Sequence, residues 1–343
     1  MLSIPSTSRE VKLKSHPRRL PQASNFEVVS VPTPSPAYDE VLVGNRYTRA
    51  AASLRMMVSE GAENVEGVPF PALHPGDTLA EESLGEVLIA PAGSGISPGD
   101  LVMHHLGWRQ YAAVPIRACT VLKHELPDAV AHLSHGWTAY AALTRAARLR
   151  RGDTVFVTSA AGAIGSMAGQ IARLLGAGRV IGSTGSQKKA DRLVRELGYD
   201  AAVLRGAEPI APQLAKAAPC GIDVVIDNVG GEQLQAAVEA AREGARIVVM
   251  GALSGQLADA GTGRTAPVEL DSFQILLKKL TLQGYSADDD PELREEWTTR
   301  FGHWLRSETI AFPRMISKGI DTAPDVLQGV AEGRYFGTVI VEF

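Results

Sequence analysis

The chain has 343 residues, enough for about two domains. Hydrophobic residues make up 45% and charged residues 21%, a soluble globular balance, and the net charge of -4 gives no electrostatic reason to bind nucleic acid or an anionic membrane. The two cysteines, Cys119 and Cys220, are far apart, with no Cys or His at metal-ligand spacing, so neither a disulfide framework nor a cysteine zinc site is expected. There is no apolar run of membrane-spanning length and no apolar signal core at the N-terminus, which makes the expected location cytoplasmic.

Residues 1–125 read as β-rich. Short apolar segments at 40–44 (EVLVG), 84–90 (LGEVLIA) and 101–104 (LVMH) are separated by Gly and Pro, and 91–100 (PAGSGISPGD) reads as a loop. From about Asp128 the texture changes. Helical spacing at 137–149 is followed by a buried strand at 152–160, a helix at 163–175, a strand at 178–186 and a helix at 187–198 that stops on Gly198. Strands at 201–204 and 221–230, a helix at 231–244 and a strand at 245–255 continue the alternation. Strands this uniformly apolar, alternating with helices, belong in a parallel sheet covered on both faces. A strand-like stretch at 280–286 precedes a polar helix near 291–307, and the terminal 337–343 (GTVIVEF) reads as a strand that returns to the first domain's sheet. The expected fold is α/β: a doubly wound parallel sheet domain plus a β-rich domain built from both chain ends.

The stretch TSAAGAIGSMAGQIARLLGAGRVIGSTGS opens at Thr158 with small residues between a strand and a helix. Ala160, Gly162 and Gly165 occupy the three positions of a dinucleotide-binding fingerprint. There a tight turn, a close approach to pyrophosphate and close helix–strand packing each exclude large side chains. A helix beginning near 162–163 aims free N–H groups and its positive dipole end at the phosphates. The next strand ends in Ser183, Thr184, Gly185 and Ser186, followed by Lys188 and Lys189. The acid that would hold an unphosphorylated ribose is missing; hydroxyls and cations suit a 2′-phosphate, so NADP(H) is expected over NAD(H).

These residues resemble a family. The stretches EVLVGNRY (40–47), GDLVMHHLGWRQYAAV (99–114), GWTAYAAL (136–143), SAAGAIGSMAGQIARLLG (159–176), GSQKK (185–189), LGYDAAV (197–203), IDVVIDNVGGEQL (222–234) and ARIVVMGALSG (245–255) are similar to the zinc-free medium-chain dehydrogenase/reductases. The similarity points to their quinone oxidoreductase-like, prostaglandin reductase and alkenal double-bond reductase branch. The resemblance implies a GroES-like substrate domain from 1–125 and 311–343, a Rossmann NADP(H) domain from 126–310, a cleft between them and a homodimer with 245–255 near its edge. It implies cofactor contacts from Thr138, Ala160, Gly162, Ala163, Ile164, Gly165, Ser186, Lys189, Arg205, Asn228, Gly251, Ala252, Leu253 and Tyr285. Lys189 falls on the lysine for the 2′-phosphate, and Arg205 stands where relatives carry a Tyr. Where zinc-dependent relatives keep a His-Glu pair, this chain reads AEESLGEVL (80–88), so no metal is expected.

The departures gather at the other end of the cofactor. The branch's DPYMR reads AASLR (51–55), leaving only Arg55; Gln256 stands at a Tyr position; the terminal GK reads Gly337-Thr338. The implied activity is NADPH-dependent reduction of the C=C bond of an α,β-unsaturated carbonyl, by hydride transfer to the β-carbon of a small-molecule substrate, with an altered, specialised pocket. Donors to the developing oxyanion are the cofactor's own ribose hydroxyl, Tyr47 or Tyr285, each tyrosine alternatively a packing residue; Arg55 is a substrate clamp or a surface or ion-pair residue. Trp108 reads as structural or as a pocket wall, His104 and His105 as strand residues facing opposite ways, the cysteines as buried small residues, and 288–292 (DDDPE) as a solvated helix start. Quinone reduction, reduction of an imine or another unusual substrate, and a non-catalytic NADPH-binding role are the alternatives.

Overall fold

The computed structural model describes residues 4–64, 71–123, 125–258 and 265–343. Two strands, β1 (Thr7–Leu13) and β2 (Phe26–Pro32), pair antiparallel at the start of the chain. β3 (Glu40–Ala50) is the long strand of the first large sheet, antiparallel to both β4 (Ser83–Ile89) and β6 (Tyr111–Pro115). A short helix, α1 (Leu54–Met57), follows it, and β5 (Leu101–His104) and β7 (Thr120–Val121) extend the sheet beyond β4. Alternation does the sorting: Val41 and Val43 of β3 point into a core with Val87, Val102 and Val114. Trp108, in a left-handed turn at φ 59°, is 1% exposed and packs in a separate core with Leu13, Leu54 and Val341.

The middle of the chain alternates as its apolar runs require. α2 (Gly136–Ala141) continues into a single π turn. Then come β8 (Thr154–Val157), α3 (Gly165–Leu174), β9 (Arg179–Thr184), α4 (Gln187–Leu197), β10 (Ala201–Leu204), α5 (Ile210–Ala217), β11 (Ile222–Asp227), α6 (Gly231–Ala240), β12 (Ala241–Val249), α7 (Leu253–Gln256), α8 (Ser272–Leu277), β13 (Thr281–Gly284) and α9 (Leu293–Arg306). The six strands form one sheet in the order β10-β9-β8-β11-β12-β13, all parallel. Between β8 and β11 the strand order reverses, and a crevice opens at the carboxyl ends there, the Rossmann arrangement. Val155, Phe156 and Val157 have no exposed surface, as expected of a strand covered by helices on both sides.

Two boundaries differ from the sequence reading. α3 starts at Gly165, because residues 158–164 first make a turn in which Ser159 is left-handed at φ 52°. α6 stops at Ala240 and the chain is already extended at Ala241, four residues before the glycine expected to end the helix. β13 forms one edge of the sheet, and the strand through 245–249 lies between β11 and β13.

The chain then returns. β14 (Arg314–Lys318), α10 (Ala323–Ala331) and β15 (Thr338–Glu342) follow α9, and β15 pairs with β3 and β14 to complete the first sheet. α9 joins the two halves: Leu293, Trp297 and Phe301 are buried at helical spacing, and the Trp297 and Phe301 rings stack with centroids 4.5 Å apart. A Cβ on Gly136 would lie 2.2 Å from the Trp297 ring, so the start of α2 is seated directly on it. Among the described residues no helix is long and apolar enough to cross a membrane. Cys220 is exposed and Cys119 half-buried, so the expectation that both are buried small residues is corrected: Cys220 lies on the open turn after α5.

Candidate cofactor and substrate site

The turn after β8 is shaped by clearances. A Cβ on Gly165 would lie 2.4 Å from the Ser159 carbonyl oxygen and 2.5 Å from Ala160 Cα, both backbone atoms that cannot give way; one on Gly162 would lie 3.1 Å from Ser159 Oγ. The Ala160 amide donates to Ser183 O at 2.8 Å, tying the turn to β9, and Ser166 N donates to Gly162 O at 2.9 Å, the first helical bond. The amides of Ala163, Ile164 and Gly165 donate to no described carbonyl and are left at the mouth of the crevice, the arrangement that binds phosphate.

What holds this turn lies far away in sequence. Tyr199, buried beneath it, donates its hydroxyl to Gly165 O at 2.6 Å, and Gly169 and Gly182 leave room for its ring. Thr158 Oγ1 donates to Asp227 Oδ1 at 2.8 Å and accepts from Asn228 N at 2.7 Å, fastening the end of β8 to the end of β11. Asp227 also accepts from the Val229 and Gly230 amides; burial pushes its pKa up against the pull of these donors, and its role is to brace the crevice. Asn228 donates from Nδ2 to Thr158 O at 3.0 Å while its Oδ1 is buried with no hydrogen-bond partner, an acceptor suited to a ligand in the crevice. Gly251 packs close to this residue, since a Cβ there would lie 2.8 Å from Asn228 O, and Leu253 N donates to the same oxygen at 3.1 Å, so Gly251, Ala252 and Leu253 line the crevice beside it.

At the end of β9, Ser186 caps α4, with Oγ accepting from Lys189 N at 3.4 Å. The Arg205 guanidinium lies over Gly185, where a Cβ would meet its Nη2 at 3.4 Å. Burial first, and then the neighbouring Arg205, lowers the Lys189 pKa. Two cations thus share one corner, and Arg205 forms no hydrogen bond or ion pair with the described side chains, which fits a dianionic phosphate between them. The C-terminal segment closes over this region: Lys189 Nζ donates to Gly333 O, Arg192 stacks 3.9 Å from the Phe336 ring centre, and Gly337 N donates to Ala161 O at 2.9 Å. None of Tyr199, Thr158 and the 333–337 strap carries a local sequence signal for this role.

The region expected to face the substrate brings both halves together. Gln256 Nε2 contacts Met56 Sδ at 3.2 Å, so α7 and α1 meet there. Arg55, next in α1, is not the surface residue allowed for: it is 2% exposed and its Nη1 donates to Ser59 Oγ. Tyr285 follows β13 and donates its hydroxyl to Asp290 at 2.6 Å, so Asp290 does more than begin a solvated helix; burial and that carboxylate push the tyrosine pKa up. Tyr47 is half-buried against the interdomain core, and burial, then Glu342 and Asp128, raise its pKa. Thr138 is half-buried in the first turn of α2. His104 is fully engaged inside the sheet, with Nε2 2.9 Å from Asn45 Oδ1 and Nδ1 accepting from Leu106 N at 3.1 Å, while His105 is exposed. Among the described residues no group of three or more His, Cys, Asp or Glu side chains converges as a metal-ligand set.

Comparison with known proteins agrees with this geometry. The zinc-binding dehydrogenase family matches residues 163–304, and the family described as the N-terminal domain of oxidoreductase matches residues 9–122. A putative NADP-dependent oxidoreductase, YfmJ, of Bacillus subtilis is 31% identical over 342 residues, covering 98% of each chain. The NADPH-dependent curcumin reductase of Escherichia coli is 27% identical over 339 residues, covering 97% of this chain and 96% of the other. The crystal structure of CurA from Vibrio vulnificus in complex with NADPH superimposes with a TM-score of 0.87 at 28% identity, covering 97% of this chain and 98% of that one. The chain belongs to the medium-chain dehydrogenase/reductases, in their zinc-free reductase branch.

Proposed function

We propose that this NADPH-dependent reductase reduces the C=C bond of an enone, enal or related α,β-unsaturated carbonyl, with hydride added at the β-carbon. The observation that carries the cofactor half is the Lys189–Arg205 corner over Gly185, open to a 2′-phosphate. The relatives named above, one of them a curcumin reductase, support the substrate class. Bound NADPH supplies the hydride. The chain's own part is positional: the amides of Ala163, Ile164 and Gly165 hold the pyrophosphate, and Ala160 and Ser186 shape the turns around it. Asn228 and 251–253 line the path toward Thr138 and Tyr285 at the nicotinamide end. Charge grows on the substrate carbonyl oxygen as hydride arrives, and a preplaced donor there lowers the barrier. Arg55, buried in α1 with its Nη1 donating to Ser59 Oγ, is read as a residue that holds α1 in place at this end of the site.

The substrate half of the cleft is assigned to residues 1–125 and 311–343 and the cofactor half to 126–310. A homodimer through β13 fits the open edge of that strand and the exposed apolar face beside it, where Phe273, Leu276 and Leu277 are 61%, 68% and 55% exposed. A cytoplasmic location is part of the same reading. The test is NADPH consumption with a panel of enals, enones, quinones and cyclic imines, with NADH in parallel and the product identified. Oxidation with enones or enals and a saturated carbonyl product supports the reading; turnover of quinones or imines alone overturns it.

A further inference from the structure

Of the two tyrosines considered as the oxyanion donor, Tyr285 has its hydroxyl committed to Asp290, and Tyr47 stands opposite Glu342 in the β3–β15 pair. A different side chain stands at the junction of the two halves. His135 immediately precedes α2, three residues before Thr138, and makes no capping bond to the helix; Ser134 Oγ accepts from the Gly136 amide instead. Neither ring nitrogen of His135 is hydrogen-bonded to a described residue, and Nδ1 is closed off from solvent, although the residue keeps some exposed surface. Its neighbour across the junction is Arg49 of β3, which is buried and held by Glu82 at 2.7 Å and Glu81 at 3.0 Å. Arg294 stands 3.6 Å from Glu82 on the far side, and His132 lies near the same carboxylate. The surrounding charges are therefore balanced, two cations against two carboxylates, and the imidazole is the neutral polar group left over. Burial, then Arg49, holds it well below the usual histidine range.

We infer that His135 donates a hydrogen bond from Nε2–H to the carbonyl oxygen of the substrate. The inference rests on the enone-reductase reading. In the step, hydride from NADPH forms the new C–H bond at the β-carbon, and the C=C pair shifts to give an enolate. Nε2–H stabilises the enolate oxygen, and the α-carbon then takes a proton from water. His135 keeps its proton throughout, as a buried neutral donor must. Trp137, two residues on, also has a buried Nε1–H without a partner, but its ring lies under the Arg294 guanidinium at 4.3 Å and packs with Ala141, Ala287 and Leu293. It serves as the comparison.

The experiment uses the full-length protein loaded with NADP+ and a dimethylamino-substituted cinnamaldehyde, whose absorption moves to the red when its carbonyl is polarised. The expected result is a red shift in the wild type that survives in His135→Gln and Trp137→Phe and is lost in His135→Ala, all with unchanged NADP+ affinity. With NADPH and an enone, His135→Ala is expected to lower kcat by ~10²–10³-fold, the effect of one lost oxyanion donor. His135→Gln, which keeps an N–H at nearly the same reach, recovers part of it. A wild type that reduces enones while His135→Ala keeps both the shift and kcat within a few-fold overturns the role of His135 and leaves the enone reading standing. A shift lost in Trp137→Phe instead does the same. A wild type that neither shifts the probe nor reduces any enone overturns both. If His135→Ala fails to fold, His135→Phe, which keeps a ring and removes the N–H, takes its place: with NADP+ still bound, loss of the shift supports the donor and a retained shift refutes it.

Discussion

Removing the cations at the corner of β9 and α4 gives the sharpest test of the cofactor reading, because the structure assigns each a different weight. Lys189 is half-buried and already gives one of its three donors to Gly333 O, leaving two for a phosphate. A charge-assisted bond of this kind contributes about 1.5–2 kcal/mol, so Lys189→Ala should weaken NADPH ~10–30-fold. Arg205 is exposed, and solvent screening keeps it to about 0.5–1 kcal/mol, or ~2–5-fold. The double variant should therefore lose ~20–150-fold for NADPH and little for NADH. Only the Arg205 share should shrink markedly when salt is raised, since exposed charges are the more easily screened. The sign in the free protein is opposite: Arg205 lowers the Lys189 pKa, so Arg205→Ala relieves a repulsion and should leave the melting temperature unchanged or slightly higher. Fluorescence titration of both cofactors at two salt concentrations measures all of this. Equal losses for NADPH and NADH, or a melting temperature that falls with Arg205, would refute the 2′-phosphate assignment.

Three further outcomes follow from named contacts. Gly165→Ala puts a methyl 2.4 Å from Ser159 O and should cost about 1–3 kcal/mol and abolish cofactor binding, whereas Gly185→Ala meets only Arg205 at 3.4 Å and should be tolerated; melting and titration separate the two. His104, buried between Asn45 and Leu106, has its pKa pushed down to about 3, so its contribution is complete above the unfolded-state value near 6.5 and is lost progressively as pH falls toward 3. By pH 5 this amounts to about 2 kcal/mol, and the urea midpoint of His104→Gln should fall less between pH 7 and 5 than that of the wild type; equal falls would show that the histidine titrates normally. Leu276→Arg with Leu277→Arg places charges on the exposed face next to β13 and should give a monomer by light scattering with an unchanged far-UV spectrum.

The cofactor turn was legible because its requirement is steric and local. Ala160, Gly162 and Gly165 stand within six positions, and a strand before and a helix after give them meaning. The return of the last strand was legible from its strand-like Val-Ile-Val run, and it joins the first domain's sheet as expected, where it pairs with β3. What escaped notice are pairings that only the topology brings together. Tyr199 supports Gly165 from 34 positions away, Thr158 meets Asp227 across 69, and Gln256 reaches Met56 across 200. Such partners leave no period in the sequence. The early end of α6 escaped for a local reason: Ala, Arg and Glu at 241–243 read as helix by propensity, and the pairing of β12 in the parallel sheet overrides that preference.

The two ends of the crevice are also made of different material, and this accounts for where the chain departs from its branch. At the proposed phosphate end the turn presents main-chain amides and the space left by glycines, so Ala for Gly at 160 leaves it intact, and Arg205 in place of a tyrosine is proposed to keep a donor for the 2′-phosphate. At the proposed substrate end, side chains on segments that meet only in the folded protein come together: Met56 of α1 with Gln256 of α7. A change at Gln256 or at 51–54 alters which atoms face the cleft without touching a single amide of the phosphate turn. NADPH binding and substrate choice are then separable: substitutions at Gln256 should move activity between unsaturated carbonyls while leaving cofactor affinity within about two-fold, because no hydrogen bond of the 158–165 turn involves that residue.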